Sequence, residues 1–253
     1  MKTIMVGLAV IIFSVSAQAS TYTEKRDLDI KAKGIQVMDI SCGAGELVVE
    51  GNEQADIIVE AEIEIKGLSD KKAQQFIQDK VELSLTRKGA TVYLKSEING
   101  SIWRLKDARV NLVVTLPSNL NLKVEDGSGS IRLRQMDGNV DIIDGSGSIE
   151  AGDIKGNLNI VDGSGGIDVR NIHNDVNIKD GSGSISTDRI GGNLRVKDGS
   201  GSIEISRVEG SVLVGDGSGS IDIQNVRKDV TIESAGSGSC SISGVKGRVV
   251  RRD

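Results

Sequence analysis

The chain has 253 residues and a formal net charge of −5, which becomes −6 once Lys2 is lost with a cleaved leader. Only 2% of the residues are aromatic, whereas 32 are glycine and one is proline. Nucleic-acid binding asks for a basic face interleaved with aromatic side chains. This balance offers neither, so no nucleic-acid partner is expected.

Met1-Lys2 gives a positive start, Ile4 to Val15 is apolar, and Ala17-Gln18-Ala19 has the small-x-small form of a cleavage site. Residues 1–19 are therefore predicted to be a cleaved secretory signal peptide. The apolar run is shorter than a membrane-spanning helix requires. Export to the periplasm, the cell surface or the exterior is expected, with no membrane span in the mature chain.

Residues 20–125 are predicted to be an irregular β region continuous with the solenoid of the C-terminal half. Ile57 to Ile65, Val81 to Leu85, Thr91 to Lys95 and Val110 to Leu116 alternate with period two, the signature of half-buried strands. Ser69 to Asp79 reads as one short helix. Ser69 or Asp70 is placed to cap it, and Ala73, Phe76 and Ile77 form one apolar face. Cys42-Gly43-Ala44-Gly45-Glu46-Leu47 looks like a worn copy of the repeat phrase, which starts the solenoid early. Pro117 marks a turn before Leu122 and Val124.

Residues 126–253 are predicted to be the regular array and its C-terminal cap. Asp-Gly-Ser-Gly-Ser-Ile begins at Asp126, Asp144, Asp180, Asp198 and Asp216, and at Asp162 the fifth letter is Gly166. The period is eighteen residues, and a constant period in this range marks a solenoid of stacked coils. Numbering each coil from its Asp, positions 6, 8, 11, 15 and 17 are apolar columns. Ile131 heads the first, Leu133 the second, Met136 the third, Val140 the fourth and Ile142 the fifth. The pairs 6/8 and 15/17 mark short strands with one buried face, and their β-branched residues suit stacked ladders about 4.8 Å apart.

Asp-Gly opens one corner, and Gly138-Asn139 with its equivalents opens the other, both by ordinary turn chemistry. A hexapeptide left-handed β-helix would place its columns six apart. A nonapeptide calcium roll would repeat its Gly-x-Gly and Asp in both halves of the coil. Neither fits. The predicted fold is all-β: a single-stranded right-handed parallel β-helix with 18-residue coils and one short helix in its N-terminal half. Ser237 to Ile242 repeats the phrase one residue late, with Cys240 in the Ile column and Arg251 where column 17 should be apolar. Arg251, Arg252 and Asp253 blunt the open end of the helix, or Arg248, Arg251 and Arg252 dock on an anionic surface.

No catalytic residue is assigned. His173 is the only histidine and shares position 12 with Asp137, Lys155, Gly191, Glu209 and Arg227, which reads as solvated surface. The Asp column, Asp126, Asp144, Asp162, Asp180, Asp198 and Asp216, brings like charges about 4.8 Å apart. Each carboxylate either accepts turn N–H groups and stays hydrated, or the column holds a row of calcium ions, low in affinity because each site has few carboxylates. No other cofactor is expected. The serines at positions 3 and 5 either satisfy a tight corner or present a polar strip to a glycan. Cys42 and Cys240 lie roughly 30 Å apart at this coil spacing, too far for a disulfide.

The leader, the early Gly-x-Gly strand, the Val110 to Pro117 strand ending in Leu-Pro and the serial Gly-Ser-Gly-Ser-Ile phrases resemble a bacterial exported adhesin family with an autotransporter-adhesin-head-like β-helix. The resemblance spans residues 30–250. It implies attachment or envelope interaction, with a cell-envelope polymer, a glycan or a surface protein as partner, and it brings no catalytic residues. The chain is thus expected to be a non-enzymatic scaffold presenting a repetitive Asp/Ser/Gly surface. Two other functions fit the sequence: a polysaccharide-acting enzyme with its site near Trp103, Arg104, Lys106 and Asp107, and a calcium-stabilised stalk.

Overall fold

The structure, a computed structural model, describes residues 21–99 and 108–252. The predicted signal peptide and the segment around Trp103, Arg104, Lys106 and Asp107 lie outside the described residues. In chain order the first part holds β1 (Thr21–Lys31), β2 (Val37–Asn52), β3 (Asp56–Lys66), α1 (Asp70–Lys80), β4 (Val81–Lys88), β5 (Thr91–Ile98) and β6 (Ala108–Pro117). Each strand expected from alternation in this region is present, slightly longer than its apolar run.

β2 is the first coil of the solenoid. It runs parallel to β7 (Asn121–Met136), with Cys42 opposite Asp126, Gly45 opposite Gly129 and Leu47 opposite Ile131. The worn copy of the phrase therefore stacks in register on the first full one. On its other side β2 pairs in parallel with β5 through Val37 to Cys42 and with β6 through Leu47 to Asn52. Antiparallel strands then extend both ladders outward: β6 to β3 to β1, and β5 to β4. Between β3 and β4, α1 sends Ala73 and Ile77 into the core, one turn apart on the same face. Ser69 occupies the N-cap position in an extended conformation, but its side chain makes no capping bond.

From β7 onward the chain alternates two kinds of strand. The five-residue strands are β8 (Val140–Asp144), β10 (Leu158–Asp162), β12 (Val176–Asp180), β14 (Leu194–Asp198) and β16 (Val212–Asp216). The eight-residue strands are β9 (Gly147–Ile154), β11 (Gly165–Ile172), β13 (Gly183–Ile190), β15 (Gly201–Val208) and β17 (Gly219–Val226). Each pairs in parallel with its equivalent one coil away, at an offset of eighteen residues, as in Ile167 with Ile185 and Ile160 with Ile178. This is a parallel β-solenoid of the expected period. Every residue of the five columns is buried, including the polar Thr187 at position 8.

The array ends in β18 (Val230–Ala235), β19 (Cys240–Ser243) and β20 (Val249–Arg251). The register slips between Val214 and Gly215, and Ile221 then faces Cys240, nineteen residues on. Arg251 lies opposite Ile232, in column 17 and exposed. Both cysteines are free and half-buried.

Candidate functional site

The two corners of each coil are built differently. At the Asp corner, the glycine at position 4 has φ between 141° and 152° from Gly129 to Gly219. A Cβ there would lie 1.5–1.8 Å from the carbonyl oxygen of the equivalent glycine one coil earlier. Both the dihedral and the approach require glycine. At the other corner, position 14 carries a side-chain ladder. The Oδ1 of Asn121, Asn139, Asn157, Asp175 and Asn193 each accepts the backbone N–H of the next coil's position 14, at 2.7–3.2 Å.

In the structure the Asp column faces inward rather than standing on the surface. All six carboxylates are buried, with 1–8% of each residue exposed. The expected turn bonds are there. Oδ1 of Asp144, Asp162, Asp180, Asp198 and Asp216 accepts the N–H of the serine two residues on, at 3.1–3.3 Å. From Asp144 to Asp216 the Oδ2 is buried and accepts no hydrogen bond from the described residues. Burial therefore raises the pKa of the whole column, reinforced at Asp162 by the charges of Asp144 and Asp180, and the turn N–H groups oppose the shift only in part. Asp162 and Asp198 are each pushed up to about 6. Cys42 continues the column at its N-terminal end, and burial together with the Asp126 carboxylate holds its thiol far above the usual range.

As a calcium site the column is poor in donors. Oδ1 is engaged with a backbone N–H, and the Asp carbonyls from Asp126 to Asp198 accept N–H bonds from the next coil's glycine. Each gap is left with about two free carboxylate oxygens, against six to eight for calcium. Among the described residues, no three His, Cys, Asp or Glu side chains converge as a metal cluster.

Outside the barrel, the serines at position 5 from Ser148 to Ser220 are exposed, with Gly166 interrupting the strip. Between positions 8 and 11 the chain makes a bend that the sequence reading missed. Gln135, Asp153, Asn171, Arg189, Arg207 and Asn225, all at position 10, have φ of 56–62°. None is glycine, and a side chain in this left-handed region costs about 1 kcal/mol or more. Asn and Asp tolerate it best, yet two of the six are arginines. The bend aims these side chains outward, and a groove of about 690 Å³ runs along the solenoid between them and position 12. Its walls include Asn171, His173, Arg189, Arg207, Arg227 and Lys246. Asp188 pairs with both Arg189 and Arg207, and Arg227 pairs with Glu209 at 2.8 Å. His173 is exposed on this wall, so it does not meet the Asp column.

Solved structures of similar architecture include three bacterial proteins. One from Parabacteroides distasonis, described as a putative lipid binding protein, gives a TM-score of 0.51 at 15% identity and covers 90% of this chain and 96% of its own. One from Bacteroides fragilis, described as a putative adhesin, gives 0.43 at 13% identity and covers 90% and 97%. A putative adhesin from Parabacteroides merdae gives 0.42 at 12% identity and covers 90% and 94%. With the first of these the chain shares the fold. No family model matches the chain, and no curated protein matches it.

Proposed function

We propose that this chain is a non-enzymatic, adhesin-like scaffold that is exported through a cleaved signal peptide and binds a component of the cell envelope. The observation that carries the reading is the register. Equivalent residues of the coils stay in register as far as Ile232, so each outward position becomes a row along the axis, and rows of small polar and charged groups suit a long partner better than a single small substrate. The names of the structural neighbours agree with it. Retention of the purified chain on cell-wall or outer-membrane fractions is the expected result. Absence from every envelope fraction, or release of a product in a glycan-degradation screen, overturns it. Cell fractionation tests export directly, by finding the mature chain, cut after Ala19, outside the cytoplasm.

A second reading, a calcium-stabilised stalk, is motivated by the orphaned Oδ2 file. Millimolar calcium raises the melting temperature if cations fill that file and leaves it unchanged if they do not.

A further inference from the structure

The coils are near copies, so the rows in which they differ coherently are informative. At positions 10 and 12, the first two coils carry Gln135 with Asp137 and Asp153 with Lys155, a nearly neutral set. The next four carry Asn171 with His173, Arg189 with Gly191, Arg207 with Glu209, and Asn225 with Arg227, and Lys246 comes after them in the last coil. The later stretch is basic: Arg189, Arg207, Arg227 and Lys246 stand against Asp188 and Glu209.

Arg189 and Arg207 hold left-handed positions that Gly or Asn would fill at lower cost. The solenoid needs the bend there, but nothing in the packing needs arginine. Asp188 is half-buried and grips both side chains, which fixes two guanidinium groups on successive coils, about 4.8 Å apart in level. Asn171 adds a third fixed member, because its Oδ1 accepts from Arg189 Nε. Fixed, forked donors on a regular repeat match planar anions spaced along a chain.

We propose that this groove binds an extended anionic glycan, one whose sugars carry carboxylates, lying parallel to the solenoid axis. The proposal deepens the adhesin-like reading by naming the chemical class of its partner. Hydrogen bonding and charge carry the recognition, since the groove walls hold no Phe, Tyr or Trp on which a sugar could stack.

The test uses the full mature chain with polygalacturonate as the probe and neutral dextran as the control. The wild type binds polygalacturonate, ignores dextran, and weakens as salt rises. Arg189→Gln with Arg207→Gln weakens binding about tenfold or more. Gln135 already occupies the same position in the first coil, so the bend tolerates the replacement, and the melting temperature checks that the fold survives. Arg227→Gln with Lys246→Gln leaves Asp188 paired and weakens binding in the same direction. Lys179→Gln with Lys197→Gln, on the separate basic face formed with Asn177 and Arg195, leaves it unchanged. Equal losses on both faces, equal retention of dextran, or no binding of polygalacturonate by the wild type overturns the assignment. If the wild type is retained on envelope material yet ignores polygalacturonate, the groove assignment falls and the adhesin-like reading stands. If it does neither, both fall.

Discussion

The two parts of the molecule solve the same problem by different means. In the regular coils, each residue sits on its own copy one level away, so the demands of one level are written into all of them. In the region of β1, β3 to β6 and α1, strands pair antiparallel around the first coil, and each contact is made once. Repetition makes the coils unforgiving at a few positions and permissive everywhere else. The early region spreads its requirements more evenly.

Glycine shows the contrast most strongly. In Gly183→Ala the new methyl would lie 1.6 Å from the Gly165 carbonyl oxygen, at a φ of 146°. The ladder cannot close around it, and a loss of more than about 4 kcal/mol in denaturant unfolding is expected. Gly67, in the turn after β3, has φ of 80° but open space around it. Gly67→Ala costs only about 1 kcal/mol, the strain of the dihedral alone. Similar losses at the two sites would erase the distinction between the regions.

The next effect is a pH dependence that belongs to the coils. The column carboxylates titrate above their unfolded value of 3.8, with Asp162 and Asp198 at about 6. A group whose folded pKa is raised contributes stability that is complete below the unfolded value and is lost as pH rises through the folded one. The melting temperature is therefore expected to fall between pH 4 and about pH 7. Asp162→Asn with Asp198→Asn flattens that fall and raises the midpoint at pH 8, because the amide removes buried charge while its oxygen still accepts the serine N–H. A melting temperature that climbs over the same range contradicts the buried column.

The smallest effect is chemical. The Cys42 thiol, held protonated by burial beside Asp126, is expected to alkylate at pH 8 far more slowly than Cys240 in the terminal coil, as read by mass spectrometry of the native chain. Equal rates would place Cys42 outside the column.

Much of this was legible in the sequence because parity and period were both visible. Positions 6, 8, 15 and 17 lie inward as alternation requires. The same parity carries the next odd position, nineteen, onto the Asp of the succeeding coil. The burial of that residue could thus have been read, had the turn chemistry of Asp-Gly not offered a surface explanation. The step from position 8 to position 11 breaks alternation, and a kink must lie between them. Arg189 and Arg207 concealed it, because arginine is not a residue that announces a left-handed bend. The Asn ladder was hidden for another reason: Asn-turn propensity and Asn-on-Asn stacking select the same residue. Little in the local sequence marks β1, since its outward face is charged and its pairing with β3 is long-range.

The central claim is that equivalent residues of successive coils lie side by side with their aliphatic columns inward. Disulfide trapping tests it most directly. In a chain carrying Cys42→Ser and Cys240→Ser, cysteines introduced at Ser184 and Ser202, which are exposed register partners, should cross-link on mild oxidation. Cysteines introduced at Ser184 and Ser220, two levels apart, should not. Bonding of the second pair, or failure of the first, contradicts the stacked register.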